Sequence, residues 1–253
     1  MTENKTIKNK INELLRLHEV QGYCEKHGSF ICTVQQGNEA FCPQCLADEE
    51  AKCKAEQEKQ KKIIDTLSSI DGLSERYKQA GFKNFVKTKE NERAFQKVLS
   101  FAKQPGKKWL IMLGNNGTGK THLAHAVLKV TGGIFRDFAD ITDEFLDMQN
   151  GIGEGRINLI NKYAFTPMLV IDEIDKVKDT EGRIAWLNRI LSKRYDNYLP
   201  LIICGNIDLK DLYQRIDLHS GFAMKDRMSE LGEVLYFNWK SYRSNLREGE
   251  KNE

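Results

Sequence analysis

The 253-residue chain has no stretch approaching the roughly 20 consecutive apolar residues that a membrane-spanning helix needs. Its first ten residues, Met1 to Lys10, are polar and charged and lack the hydrophobic core of a secretory leader. A cytoplasmic protein without membrane partners is therefore expected. Excess charge of one sign is also missing: 39 Lys and Arg against 36 Asp and Glu leave a formal +3, which by itself gives no argument for nucleic acid. Internal repeats and low-complexity tracts are absent as well. What remains is a length sufficient for one full α/β core plus a small module of a few dozen residues.

The cysteines are unevenly placed. Five of the six (Cys24, Cys32, Cys42, Cys45 and Cys53) fall within thirty residues, which in a reducing compartment points to a metal rather than to disulfides. Cys24-x-x-His27 and Cys42-x-x-Cys45, fourteen residues apart, have the paired spacing of a tetrahedral structural zinc site, and Gly28 and Pro43 suit the tight turns. Cys32 is the alternative to His27 as fourth ligand, although the paired spacing favours His27. Cys53 lies in a charged helical stretch and is not expected to bind metal. A module this small has too little core to fold unaided, so loss of the metal should unfold residues 20–48.

Around this module, Ile7, Ile11, Leu14, Leu15 and His18 recur at helical spacing and predict a short amphipathic helix over residues 6–20. From Leu46 to about Ser69 the text turns to Glu, Lys, Gln and Ala, with apolar anchors only at Ile63, Ile64 and Leu67, which reads as an exposed connecting helix. The expected organisation is a helix and zinc-binding module over 1–48, a charged connector over 49–72, and a nucleotide-binding domain over 73–253. In that last part a helix is predicted around Glu90 to Ala102. Apolar runs at Trp109–Leu113, Ile134–Phe138, Met168–Ile171, Leu201–Cys204 and Val234–Phe237 alternate with helical segments. That alternation predicts an α/β fold, a parallel sheet with helices on both faces.

Gly114, Asn115, Asn116, Gly117, Thr118, Gly119, Lys120 and Thr121 fit G-x-x-x-x-G-K-[ST], directly after a predicted strand and directly before a predicted helix whose next residue is His122. Such a loop turns backbone N–H groups toward phosphates, and the helix N-terminus adds partial positive charge. Lys120 is expected to reach the β and γ phosphates of ATP and Thr121 to ligate Mg²⁺. Met168-Leu-Val-Ile-Asp172-Glu173 ends a buried strand in two carboxylates. Asp172 is expected to hold Mg²⁺ through water and Glu173 to deprotonate the attacking water, which distinguishes a hydrolase from a kinase. Leu201-Ile-Ile-Cys204-Gly-Asn206 ends in an amide at the same sheet edge, a candidate for holding the γ-phosphate or the water.

Taken together, these residues resemble the AAA+ ATPases, and more narrowly the DnaC/DnaI helicase loaders and their phage relatives. The resemblance covers about residues 73–245 and rests on GFKNF, GNNGTGKTHLAHAV, LVIDEID, IICGN, KDRM and LYFNWKSYR, the last two being the most specific. It implies that Arg227 acts across a subunit boundary as an arginine finger and that Arg243 senses nucleotide in its own subunit; a guanidinium forks readily onto phosphate oxygens. Fewer than twenty residues follow Phe237, which looks like a loader without a helical lid. Loaders of this type also use an N-terminal zinc fold. The implied function is ATP-dependent loading of a DnaB-type replicative helicase onto single-stranded DNA, with self-association through the ATPase domains. IstB-type transposition ATPases share this core and are the nearest alternative. A zinc-based DNA-binding adaptor with a passive P-loop, and a P-loop kinase, are further readings that Glu173 disfavours. Arg156, Lys162, Arg189, Lys193 and Arg194 are candidates for a DNA path, though such residues are more often solvated surface charges.

Overall fold

The computed structural model describes residues 17–153, 155–178, 180–217 and 223–242. The chain divides into two compact units, Met1–Ile63 and Ile64–Glu253.

In the first unit, β1 (Leu17–Cys24) and β2 (Gly28–Gln35) form an antiparallel hairpin, with Cys24 opposite Gly28 and Leu17 opposite Gln35. Gly28 has a positive φ of 79°, which suits the turn. Alternate residues, Val20, Gly22 and Cys24 on one strand and Phe30, Cys32 and Val34 on the other, are half-buried, whereas Gln21, Tyr23, Ile31 and Thr33 are exposed. The helix predicted over residues 6–20 is therefore corrected at its end: residues 17–20 are strand. His18 continued the helical apolar spacing, but cross-strand pairing with Val34 decides its conformation. The remainder of that prediction lies outside the described residues. Helix α1 (Pro43–Ser68) follows.

The second unit is built on a six-stranded parallel sheet with strand order β3-β5-β6-β7-β4-β8. Its strands are β3 (Ile70–Asp71), β4 (Trp109–Gly114), β5 (Gly133–Asp137), β6 (Leu169–Asp172), β7 (Leu201–Gly205) and β8 (Gly232–Phe237). Helices α2 (Glu92–Lys103) and α3 (Lys120–Thr131) cover one face. Helices α4 (Phe138–Gln149), α5 (Arg156–Phe165), α6 (Glu181–Asp196), α7 (Leu209–Asp217) and α8 (Ala223–Leu231) cover the other. The two-residue period of each strand divides the core: Trp109, Ile111 and Leu113 join the α4–α8 side, Leu110 and Met112 the α2–α3 side. Phe138 opens α4 instead of closing β5, because its ring is needed in the core on the helical side.

Arg194 is fully buried and takes no part in any surface path. Its Nη1 donates to the carbonyls of Tyr163 (2.9 Å), Ala164 (3.3 Å) and Thr166 (3.0 Å), and its Nη2 to that of Pro200. It closes the C-terminal end of α5, whose last carbonyls have no intrahelical partner. Burial pulls its guanidinium down to about 9. Lys162 is likewise engaged, in an ion pair with Glu144 at 3.1 Å.

Candidate functional site

The parallel strands bring their C-terminal ends to one edge, where ligands of open α/β sheets bind. β4 delivers the phosphate loop, β5 Asp137, β6 Asp172 followed by Glu173, and β7 Asn206 just beyond its last residue. Because β7 lies between β4 and β6, the phosphate loop and the acidic strand end are separated by one strand, and the side chains bridge the gap. Thr121 Oγ1 donates to Asp172 Oδ2 at 2.6 Å.

The loop is held from outside. Asn115 N–H donates to the Phe237 carbonyl (3.0 Å), Tyr242 N–H to Gly117 (2.9 Å), and Trp239 Nε1 to Thr118 (3.0 Å). Gly119, the residue before α3, has φ +98°, and a Cβ there would stand 2.6 Å from Phe85 Cε2, so no side chain fits. Lys120 Nζ donates to the carbonyls of Gly114 (2.6 Å) and Asn115 (2.7 Å), and burial lowers its ammonium below the ordinary lysine range.

Asp172 is buried, and that burial raises its carboxyl above the usual range, against the pull of the Thr121 hydroxyl and the Glu173 N–H, which donates to Oδ1 at 2.7 Å. Glu173 adopts φ 52°, a left-handed conformation rare for a residue with a side chain and common at functional sites. Its Oε1 pairs with Lys176. Asn206 is anchored through its backbone N–H to Asp175 Oδ1 at 2.8 Å, leaving its amide exposed. Asp137, in register with Asp172, is pushed up to about 6 by burial and by the neighbouring charges of Asp172 and Glu173.

A cleft of about 640 Å³ joins these groups. Residues 116–122, Asp172, Glu173 and Asn206 line it. The His122 ring, at 2.9 Å from the Gly81 carbonyl, braces the segment that carries Phe85. Arg227 lies elsewhere, on α8: its Nη1 donates to Ser192 Oγ (2.8 Å) and its guanidinium covers the Tyr195 ring. Arg243 is outside the described residues. Sequence reasoning assigned no contact to Phe85, Trp239 and Tyr242, which also line the cleft. They fall in the GFKNF and LYFNWKSYR phrases, but nothing in the sequence places those phrases against the loop.

In the first unit, the donor atoms of Cys24, His27, Cys42 and Cys45 lie within 4.8 Å of one another, the one such group among the described residues. His27 Nδ1 is 3.9 Å from Cys24 Sγ, 3.7 Å from Cys42 Sγ and 3.3 Å from Cys45 Sγ, and the Cys24 and Cys45 sulfurs are 3.5 Å apart. A tetrahedral zinc with Zn–S of about 2.3 Å and Zn–N of about 2.0 Å spaces its ligands about 3.5–3.8 Å apart, so the donor set fits. The N–H groups of Lys26 and His27 draw the Cys24 thiol down to about 6, and Cys24 in turn pushes Cys45 up to about 11. Sulfurs this close ionise together only around a cation. His27 Nε2 faces Asp48 at 3.5 Å, leaving Nδ1 for the metal. Cys32 sits in β2 opposite Val20, outside the group, and Cys53 is exposed on α1.

Parts of this chain are similar to known proteins. The DnaA chromosomal replication initiator of Spiroplasma citri is 38% identical over 124 residues, 44% of this chain and 27% of that protein. The chain thus spans about a quarter of the length of such relatives. An ATP-binding protein of insertion sequence IS5376 from Geobacillus stearothermophilus is 26% identical over 195 residues, 76% of each chain. A crystal structure of the DnaC helicase loader superposes with a TM-score of 0.56 at 24% identity, covering 64% of this chain and 99% of that one, a likeness of fold. The sequence model of the IstB-like ATP binding proteins matches residues 39–249. With most of its length matched and the phosphate loop, acidic strand end and parallel sheet in place, the chain belongs to the IstB-like ATP binding protein family.

Proposed function

We propose that this chain is an ATP-driven loader that places a DnaB-type replicative helicase on single-stranded DNA. One observation carries the reading: a hydrolytic constellation of Lys120, Thr121, Asp172 and Glu173 shares a chain with a separate Cys₃His unit that holds no phosphate chemistry. The fold likeness to the DnaC helicase loader, covering 99% of that chain, supports it. In this reading residues 1–48 grip the helicase, residues 49–72 connect, and residues 73–253 bind and hydrolyse ATP. Neighbouring ATPase domains assemble side by side.

The geometry of the cleft supports the following division of labour. The N–H groups of residues 114–121 and the N-terminus of α3 cradle the phosphates, and Lys120 turns from its loop carbonyls to the β and γ oxygens. Thr121 and, through water, Asp172 would hold Mg²⁺, which would neutralise phosphate charge when bound. Glu173 takes the proton of the attacking water, and Asn206 orients that water or the γ-phosphate. Phe85, Trp239 and Tyr242, which line the cleft, would flank the adenine ring. Arg227, held on α6 by Ser192 and Tyr195, serves a neighbour's nucleotide, and Arg243 its own.

A second reading, an ATPase assisting transposition, is favoured by the insertion-sequence relative that aligns over 76% of both chains. Affinity capture of the full chain from its native host, with mass spectrometry of what is retained, separates the two. The loader reading expects a replicative helicase. A transposase in its place overturns that reading in favour of the second.

A further inference from the structure

The two ends of the parallel sheet carry different chemistry. Opposite the nucleotide cleft, about 20 Å away along the six residues of β4, lie the starts of β6, β7 and β4, which are neighbours in the sheet. Phe165, Tyr198 and Lys107 stand within four residues of those starts. Strands spaced about 4.8 Å apart set the three turns in a row about 10 Å long. Arg194 fastens two of the turns together by donating to the carbonyls of Thr166 and Pro200.

Charge is segregated here although the chain as a whole is nearly balanced. Residues 103–109, 162–167 and 189–200, which supply this edge, contain seven Lys and Arg and one carboxylate, that of Asp196. Two of the seven are engaged, Arg194 by its carbonyls and Lys162 by Glu144. Among the described residues, no ion pair engages the other five, Lys103, Lys107, Lys108, Arg189 and Lys193.

Two large aromatic rings lie uncovered among these cations, Phe165 at 46% exposure and Tyr198 at 58%. Lys193 Nζ is 5.3 Å from the centre of the Phe165 ring and Lys107 Nζ 4.8 Å from that of Tyr198. Tyr198 also has φ 53°, directly after the C-cap of α6, where its N–H donates to the Tyr195 carbonyl (3.0 Å) and that of Leu199 to the Arg194 carbonyl (2.9 Å). Glycine closes a helix in this way without strain, whereas a bulky side chain rarely does. An exposed tyrosine gains little packing in return, which points to a use for its ring outside the fold.

Unpaired cations interleaved with uncovered rings suit a polymer that offers phosphates and free base faces together. A duplex hides those faces in its own stack; a single strand presents them. We propose that this edge of the sheet binds single-stranded DNA, with bases stacked on Tyr198 and Phe165 and phosphates on Lys107, Arg189 and Lys193. That the strand is DNA rests on the loader reading above. Nucleotide and strand then occupy opposite ends of one sheet.

The test is fluorescence anisotropy of a labelled oligothymidylate with the full chain, in ATP and Mg²⁺, over a series of salt concentrations. Tyr198→Gly, which relieves the backbone, should weaken binding about five-fold or more, the loss of one stacked base. Lys107→Gln combined with Lys193→Gln should reduce the slope of log affinity against log salt by about 1.4, two phosphate contacts at about 0.7 each. Both variants should keep the parent's ATP affinity, which reports an intact fold. Parental affinity in Tyr198→Gly, or a parental salt slope in the double variant, overturns the site and leaves the loader reading standing. A parent chain that ignores the single strand overturns both. A duplex of equal length that competes as well as the single strand overturns the proposal, as does polyglutamate that displaces it equally well, which marks a surface for an acidic protein.

Discussion

Replacing Asp137 by Asn should stabilise the second unit at neutral and alkaline pH. In the fold its carboxyl is raised to about 6 from an ordinary 3.8, by burial first and then by Asp172 and Glu173. A folded value above the unfolded one means that the native state holds a proton the unfolded chain releases. The stability from that proton is full below pH 4 and is lost as pH rises through 6. At pH 8 such a rise corresponds to about 3 kcal/mol against the fold. Asp137 is partly exposed, and solvent screening reduces this to about 1–1.5 kcal/mol. The carboxylate makes no capping bond to α4, so Asn forfeits none. All three tryptophans, Trp109, Trp186 and Trp239, lie in the second unit, which makes their fluorescence a clean reporter of its urea unfolding in metal-free, nucleotide-free buffer. The expected gain is about 1–1.5 kcal/mol at pH 8, about half that at pH 5, and about a fifth of it near pH 4. A variant no more stable than the parent at pH 8, or one whose gain is undiminished at pH 4, would refute the electrostatic account.

Lys120→Ala should abolish ATP binding in a fluorescent-nucleotide assay, whereas Glu173→Gln should bind normally and lose turnover by about a hundred-fold or more; equal turnover in Glu173→Gln sinks the base assignment. Cys24→Ser and Cys45→Ser should lose zinc and Cys53→Ser retain one per chain, as read by elemental analysis of freshly purified protein. Arg194→Met should cost about 3 kcal/mol in urea unfolding, because it strips the donor from the carbonyls of Tyr163, Ala164, Thr166 and Pro200. A loss below about 1 kcal/mol would show that solvent readily replaces the guanidinium.

The parallel sheet was legible in the sequence because its strands are buried on both faces and therefore read as continuous apolar runs. The phosphate loop was legible because a glycine turn between strand and helix is a local feature. The β1–β2 hairpin was not. In a unit this small its faces are only half-buried, and Gly22 faces Phe30 across the strands, so the alternation is faint. Arg194 read as a surface charge because nothing local reveals that the end of α5 comes to lie over it. Asp137 lay unremarked inside the run Ile134–Phe138, since its partner Asp172 is supplied by the next strand in the sheet.

The contacts of the phosphate loop show why such distant text belongs to one site. Trp239 and Thr118 are 121 positions apart, yet the indole closes on the loop carbonyl. The agent is the β4–β8 ladder, in which Trp109 pairs with Gly232 and Gly114 with Phe237. Six matched pairs fix the register, so the residue that leaves β8 emerges beside the residue that enters the loop. Asn115, Gly117 and Thr118 then find their partners in Phe237, Tyr242 and Trp239. A loop so held has few conformations left when phosphates arrive, which lowers the entropic cost of binding. The same ladder works in the opposite direction. Any push that a phosphate exerts on residues 115–118 is therefore met directly by residues 237–242, which these hydrogen bonds tie to the loop.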